Sequence, residues 1–261
     1  MSVQKQTWTF ISYELNLNSS QVKLDNNEHH YAYNVLRIEV DNEVEVTNCN
    51  GLKALGIVET VNKKEVLIKI KKIIPEKLPE IQVNLILATP KPSTLEEVIA
   101  SASEIGASEI HIFKGERSAF KSAIKLDKLK LLSDQAARIS KSCYSSKIFI
   151  YDNINNMYEK FKLEKTDNNL FLFCDESHVY NGKINNSIYS EVKNNFHKNI
   201  KNIFIVVGPE ASFSAYEREI IKEKMNAVTV SLGNNILRVP NAVLSALGVA
   251  LNFRNDLNIS I

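Results

Sequence analysis

From residue 81 onward, short apolar runs alternate with segments of helical period, and that rhythm leaves few folds open. The runs are Asn84–Ala88, Glu109–Phe113, Lys147–Tyr151, Leu170–Cys174, Ile203–Val207 and Ala227–Ser231. Between the first two, Leu95, Val98, Ile99, Ala102 and Ile105 fall on one face of a helix over Thr94–Gly106. Thr94 and Glu97 have the spacing of a capping box, and Gly106 stands where such a helix stops. Lys128–Lys141, Ser187–Phe196, Ala215–Met225 and Asn241–Phe253 also read as helices. Apolar strands alternating with helices imply an α/β domain with a mostly parallel sheet covered on both faces. Ligands of such sheets sit at the carboxyl ends of the strands, so chemistry is expected in the loops after Cys174, Val207 and Ser231.

The first 74 residues read as short strands. Val35, Ile38, Val40, Val44 and Val46 mark one region, broken by an Asp41-Asn42 turn. Leu55, Ile57, Val58 and Val61 follow Gly51, and Val66, Ile68 and Ile70 alternate with Leu67, Lys69 and Lys71. Several short strands without a long helix suggest a small β-barrel. Pro75 and Pro79 punctuate its end, dividing the chain into residues 1–75 and 76–261.

A chain of 261 residues, 44% hydrophobic and 24% charged, can bury a core without a disulfide or metal to staple it. No apolar run approaches the ~18 residues of a membrane span, and the N-terminus has no apolar signal segment. Cys49, Cys143 and Cys174 are scattered, with no CxxC and no HExxH, so no zinc site is expected and free thiols suit a reducing cytoplasm. The net charge of +2 does not announce nucleic acid. Yet Lys114, Arg117, Lys121, Lys125, Lys128, Lys130, Arg138, Lys141 and Lys147 face only Glu116, Asp127 and Asp134 within one stretch. Such an excess either attracts a phosphate backbone or is a solvated, lysine-rich helix surface.

Two loops carry the groups that could do chemistry. Ile203–Val207 runs into Gly208-Pro209-Glu210, and Ser214 with Glu217 can then cap the next helix. Gly208 permits close backbone approach, and Glu210 stands at the carboxyl edge of the sheet. It is either an exposed turn residue or a base. In the second loop, after Val228–Ser231, Arg238 lies among Ile236, Leu237 and Val239, with Pro240 suited to a first helical turn. An arginine there is either a buried anchor or an oxyanion contact.

Together, Gly208-Pro209-Glu210…Phe213-Ser214 and Leu232-Gly233…Ile236-Leu237-Arg238 resemble the SPOUT methyltransferases, and more narrowly the RsmE group of 16S rRNA uridine-N3 methyltransferases. His29–Ile38 followed by Asp41–Val44, the segment Leu95–Ile112 containing Ala102–Ile110, and Glu116-Arg117-Ser118 are similar to that group in the same order. The likeness covers nearly the whole chain.

The resemblance implies a PUA-like β-barrel for placing RNA, then a SPOUT α/β domain with a C-terminal trefoil knot around an S-adenosylmethionine site. It implies a cytoplasmic homodimer acting on small-subunit ribosomal RNA or the assembled 30S subunit, without membrane or metal. Glu210 would take the uracil N3 proton or orient the base, and Arg238 would stabilise charge on a uracil carbonyl. Phe173, Gly208, Leu232, Gly233, Ile236 and Leu237 would hold the cofactor, and Arg37 and Arg117 would contact RNA. For Arg37 the residues equally allow a salt bridge with Glu39 or Glu43. The sequence departs from the group at Ala211-Ser212, where Gly-Gly is usual, and at Pro240-Asn241, where Glu-Thr is common. A glycine position that needs positive φ would leave Ala211 strained. A second reading is an RNA-binding module that has lost methylation. An unrelated nucleotide-dependent enzyme lacks support, since there is no GxGxxG and no GxxxxGK[ST].

Overall fold

The computed structural model describes residues 7–118, 123–163, 168–176, 186–195 and 199–259. Two units emerge, one formed by Met1–Leu78 with Asp134–Ser145, the other by Pro79–Ser133 with Ser146–Ile261.

In the first unit, β1 (Trp8–Ile11), β2 (Gln21–Lys23), α1 (Asn26–His30), β3 (Glu43–Thr47), β4 (Leu52–Val61) and β5 (Val66–Pro75) follow in chain order. The sheet order is β1-β3-β4-β5-β2. Among the described residues, β1 and β3 pair in parallel and the other neighbours are antiparallel. All five strands feed one core, through Phe10, Val22, Val44, Val46, Ala54, Val58, Val66 and Ile68, so the sheet curls around it.

The segment with Val35 and Val40 is not a strand. Asp25 accepts from the backbone N–H of Asn27 and Glu28 and starts α1, which widens into π-type turns over Tyr31–Leu36. Val35 and Val40 are 59% and 50% exposed, so their spacing never reports a buried strand face. Ala32 turns inward to the core, and so does a charged side chain, Glu28. It accepts from the Ile11 N–H at 3.0 Å and from Arg138 Nη1 at 2.7 Å. Burial pushes its carboxyl above the usual carboxylate range, while the Ile11 N–H and Arg138 pull it back. Arg138 also lies 4.3 Å over the Tyr31 ring. Tyr13 donates to Asp134 at 2.6 Å, Lys53 donates to the Lys141 carbonyl at 2.8 Å, and Ala137 packs with Ile11 and Cys49. These contacts are why Asp134–Ser145 belongs to the first unit, where a single cut near Pro75 assigns it to the second.

The second unit contains β6 (Gln82–Ala88), α2 (Pro92–Glu104), β7 (Glu109–Phe113), the start of α3 (Leu126–Ser140), β8 (Lys147–Tyr151), α4 (Ile154–Leu163), β9 (Asn169–Cys174), α5 (Ile188–Asn195), β10 (Asn202–Val207), α6 (Ala215–Glu219), β11 (Val228–Val230) and α7 (Val239–Ile259). Its six strands pair in parallel throughout, in the order β11-β9-β10-β6-β7-β8. Alternate residues of each central strand enter different cores. Ile203, Ile205 and Val207 of β10 join one with α2 and α7, while Phe204 and Val206 join another with Ile154, Met157 and Phe161 of α4. Burial on both faces is why these strands read as unbroken apolar runs.

Helix α2 begins with Pro92 in its first turn after Lys91, so Thr94 and Glu97 form no capping box. The Ser214–Glu217 capping box is present. Helix α4 follows Asn153, whose Oδ1 accepts from the Asn156 N–H near its start. Lys121 and Phe196, from the basic stretch and from the expected Ser187–Phe196 helix, lie outside the described residues. Among the described residues, no helix is long and apolar enough to cross a membrane.

Candidate functional site

Because the large sheet is parallel, the carboxyl ends of β11, β9, β10 and β6 share one edge, and these four strands are neighbours. A cavity of about 810 Å³ opens there. Its walls come from Lys91, Thr94 and Glu97 after β6, Cys174–Glu176 after β9, Val207–Ser212 after β10, and Val230, Leu232 and Ile236–Ala242 around β11 and the start of α7. The loops expected to carry chemistry do converge. The contribution after β6 was not legible in the sequence, because nothing there says that β6 lies beside β10.

Glu210, Arg238, Gly208, Leu232, Ile236 and Leu237 all line the cavity. Phe173 and Gly233 are not among its lining residues. Phe173 is fully buried, edge-on to Phe213 with ring centroids 5.3 Å apart. Strand parity turns its side chain into the core and leaves Cys174 at the wall. Burial pushes the Cys174 thiol up to about 12, so it stays neutral at pH 7. Gly233 has φ 115°, which serves the turn after β11, where its N–H donates to Ser231 Oγ at 3.1 Å. Gly208 answers a different need: a Cβ there would stand 2.8 Å from the Phe213 ring. Packing of Phe213 therefore gives this glycine a structural reason of its own, apart from ligand approach.

The loop after β10 closes as a turn, with the Ser212 N–H donating to the Pro209 carbonyl at 2.9 Å. Glu210 Oε1 accepts from the Lys91 N–H at 3.3 Å, joining this turn to the start of α2. The residue with positive φ is Ser212, at 62°, and not Ala211. The strain expected at Ala211 thus falls one residue later. Ser212 Oγ accepts from Arg218 Nη2 at 2.5 Å. Arg218 also donates to Asp175, whose side chain is wholly buried, and Lys222 Nζ lies 3.0 Å from the other Asp175 oxygen. Phe173 forms part of the support for this cluster, with Lys222 Nζ 5.4 Å from its ring centroid.

A second carboxylate ties a neighbouring loop. Glu217 is 1% exposed; one oxygen accepts from the Ser214 N–H at 2.7 Å and the other from the Glu116 N–H at 2.8 Å. The turn Gly115–Ser118, which carries exposed Arg117, is thereby fastened to the start of α6. Glu217→Ala should cost about 2 kcal/mol, from a lost cap and a backbone donor without its acceptor. Thermal unfolding checks this, and a loss below about 0.5 kcal/mol would mean that water replaces the carboxylate.

Arg37 is exposed at the end of the helical turns, with φ 52°, and makes no ion pair with Glu39 or Glu43. The basic stretch is not one free cationic face. Arg138 is held by Glu28, and Lys128 pairs with Glu96 at 2.5 Å.

Comparison with known proteins accounts for both units. Residues 76–251 match the RNA methyltransferase domain family, and residues 24–71 match the RNA methyltransferase PUA domain. The ribosomal RNA small subunit methyltransferase E of Rickettsia conorii is 25% identical over 234 residues, covering 88% of each chain. The protein of that name from Bacillus subtilis is 26% identical over 238 residues, covering 88% of this chain and 89% of its own. The crystal structure of the ribosomal RNA small subunit methyltransferase E from Neisseria gonorrhoeae bound to S-adenosyl methionine superposes with a TM-score of 0.78 at 17% identity, covering 95% of this chain and 98% of that one. A parallel α/β unit with its cavity at the strand ends, preceded by a curled PUA sheet and matched from residue 76 to residue 251, means that this chain belongs to the RNA methyltransferase family.

Proposed function

We propose that this chain transfers the methyl group of S-adenosylmethionine to N3 of a uridine in small-subunit ribosomal RNA. The observation that carries the reading is one cavity bounded by both motif loops, with Glu210 from one and Arg238 from the other. The cavity fits the cofactor. Its volume of about 810 Å³ is within the range of small-molecule sites. Val230, Leu232, Ile236 and Leu237 offer apolar wall to an adenine, and the turns at Gly208 and after β11 offer backbone groups. The four-strand edge, with β9 and β10 inserted out of chain order and α7 starting in the wall, also suits the threaded chain of a knotted cofactor site.

The cofactor, when bound, supplies a methyl group already activated by its sulfonium. The residues of this chain have the rest to do. Uracil N3 is a poor nucleophile until its proton leaves, and Glu210 is placed to accept that proton or to hold the base edge. Its bond to the Lys91 N–H orients the carboxylate. Arg238 stabilises negative charge as it develops on a uracil carbonyl. Arg37 and Arg117 attract the RNA backbone, the first from the end of the helical turns after α1 and the second from the Gly115–Ser118 turn. On this reading the first unit, residues 1–78 with 134–145, places the RNA and the second performs the transfer, in the cytoplasm. The target is free small-subunit RNA or the assembled 30S subunit.

Calorimetric titration with S-adenosylmethionine, followed by methyl transfer to small-subunit RNA and mapping of the modified base, tests the proposal. Absent cofactor binding would leave an RNA-binding module, and methylation at another atom would overturn the uridine-N3 assignment. Arg37→Ala and Arg117→Ala should each weaken RNA binding and lower the slope of log K against log salt by about one. An unchanged slope would return both to structural roles. We also propose a homodimer: light scattering should give about twice 29.5 kDa, and a mass of 29.5 kDa at micromolar concentrations would refute it.

A further inference from the structure

Arg218 lies on α6 and is not among the cavity's lining residues, yet its guanidinium grips three side chains that are. It donates to Asp175, to Glu176 at 3.3 Å and to Ser212 Oγ at 2.5 Å. Asp175 and Glu176 follow β9, and Ser212 closes the turn after β10. One planar fork therefore spans two of the loops that shape the cavity. Each partner depends on it differently. Asp175 is fully buried, and Lys222 is its other cationic neighbour. Ser212 holds a left-handed backbone that a non-glycine residue adopts at some cost, and its hydroxyl–guanidinium bond favours that conformation. Glu176 is partly exposed at the cavity wall, and Arg218 restrains its carboxylate there.

We propose that Arg218 is a positioning residue for cofactor binding, acting through Ser212 and the Asp175-Glu176 pair to hold both loops in the shape that receives S-adenosylmethionine. This rests on the cofactor reading above. A lysine substitutes only in part, because a single ammonium on a flexible stem does not match three acceptors spread across two loops. The role belongs to this chain's own solution of the turn. Where the second residue of the turn is glycine, the left-handed conformation needs no hydroxyl to hold it.

Cofactor affinity by calorimetry, steady-state kinetics and thermal unfolding of the full chain, with S-adenosylmethionine as the probe, test the proposal together. Arg218→Ala should raise Kd about 10-fold or more, because the loops are no longer preorganised, and the loss should fall on Kd and cofactor KM rather than on kcat. Arg218→Lys should recover less than half of that loss in logarithmic terms, and it supplies the same measurement if the alanine variant does not fold. Ser212→Gly added to Arg218→Ala should restore part of the affinity, since glycine takes the left-handed turn unaided. A Kd for Arg218→Ala within twofold of the unaltered protein would overturn the inference. So would full rescue by lysine, or a loss confined to kcat or to thermal stability. If the unaltered protein binds no S-adenosylmethionine, the cofactor reading itself falls. That outcome is distinct from binding that ignores Arg218.

Discussion

Replacing Glu210 with glutamine should lower kcat by about 10²-fold, or about 2.7 kcal/mol of transition-state stabilisation, while the Kd for S-adenosylmethionine stays within a few-fold. Glu210 projects from a turn whose closing bond runs from the Ser212 N–H to the Pro209 carbonyl, and its Oε1 also accepts from the Lys91 N–H. Glutamine keeps an acceptor for Lys91 and so keeps the turn joined to α2. What it loses is the capacity to take a proton. Arg238→Ala should give a comparable fall, because the charge it meets develops only as N3 attacks. If either change instead weakens cofactor binding and spares the rate at saturation, that residue is a wall of the cavity and not a participant. The pH dependence separates base from orienter. As pH rises toward ionisation of free uridine, Glu210→Gln should recover, since hydroxide then removes the proton. A variant equally slow at every pH would show that Glu210 orients the uracil without accepting from it.

Arg138→Ala should destabilise the first unit by about 3–5 kcal/mol at pH 7, because it leaves a buried carboxylate with only the Ile11 N–H. The chain's one tryptophan, Trp8, lies in β1 of that unit, so its fluorescence during urea unfolding follows the right part of the molecule. The pH dependence has a definite sign. Burial raises the Glu28 carboxyl in the folded protein, and removing Arg138 leaves that upward push with less opposition. A raised folded value contributes stability that is fully present below the unfolded pKa and lost as pH rises through the folded one. The loss in the variant should therefore be smaller near pH 4 than at pH 7. Replacing the pair together, as Glu28→Gln with Arg138→Met, should recover most of the loss, since no charge is then stranded and the Ile11 N–H keeps an acceptor. Equal loss at both pH values, with no recovery in the pair, would make the arginine's stem the stabilising element and not its charge.

The legible parts of the fold were those where burial and period agree. The strands of the large sheet are buried on both faces, so Ile203–Val207 and Glu109–Phe113 stand out with almost their true bounds. The Asn26–Leu36 segment is not legible because a glutamate and a small alanine turn inward while its valine is exposed, so no apolar period marks the buried face. The capping aspartate at position 25 was the available signal. Within the site, loop position was legible but side-chain direction was less so. Phe173 and Cys174 are adjacent, and only the second reaches the cavity. Lys91 and Arg218 were missed for a topological reason. Their importance comes from which strand lies beside which and from what a helix reaches across, neither of which is written in local spacing.

The return of Asp134–Ser145 to the first unit bears on how the chain is born. Synthesis delivers Leu78 well before it delivers Ser145, an interval of several seconds at about 5–20 residues per second. During that time the nascent N-terminal sheet has all five strands but lacks the arginine for Glu28 and the alanine that covers Ile11 and Cys49. Its completion waits on residues 79–133, the opening portion of the other unit, being made first. Long loops cost little in equilibrium stability but delay the contacts that close them. The unit that carries Arg37 thus matures only after the methyltransferase half has begun to emerge, and a fragment released at Leu78 would leave with its inner carboxylate lacking its arginine and a patch of core uncovered.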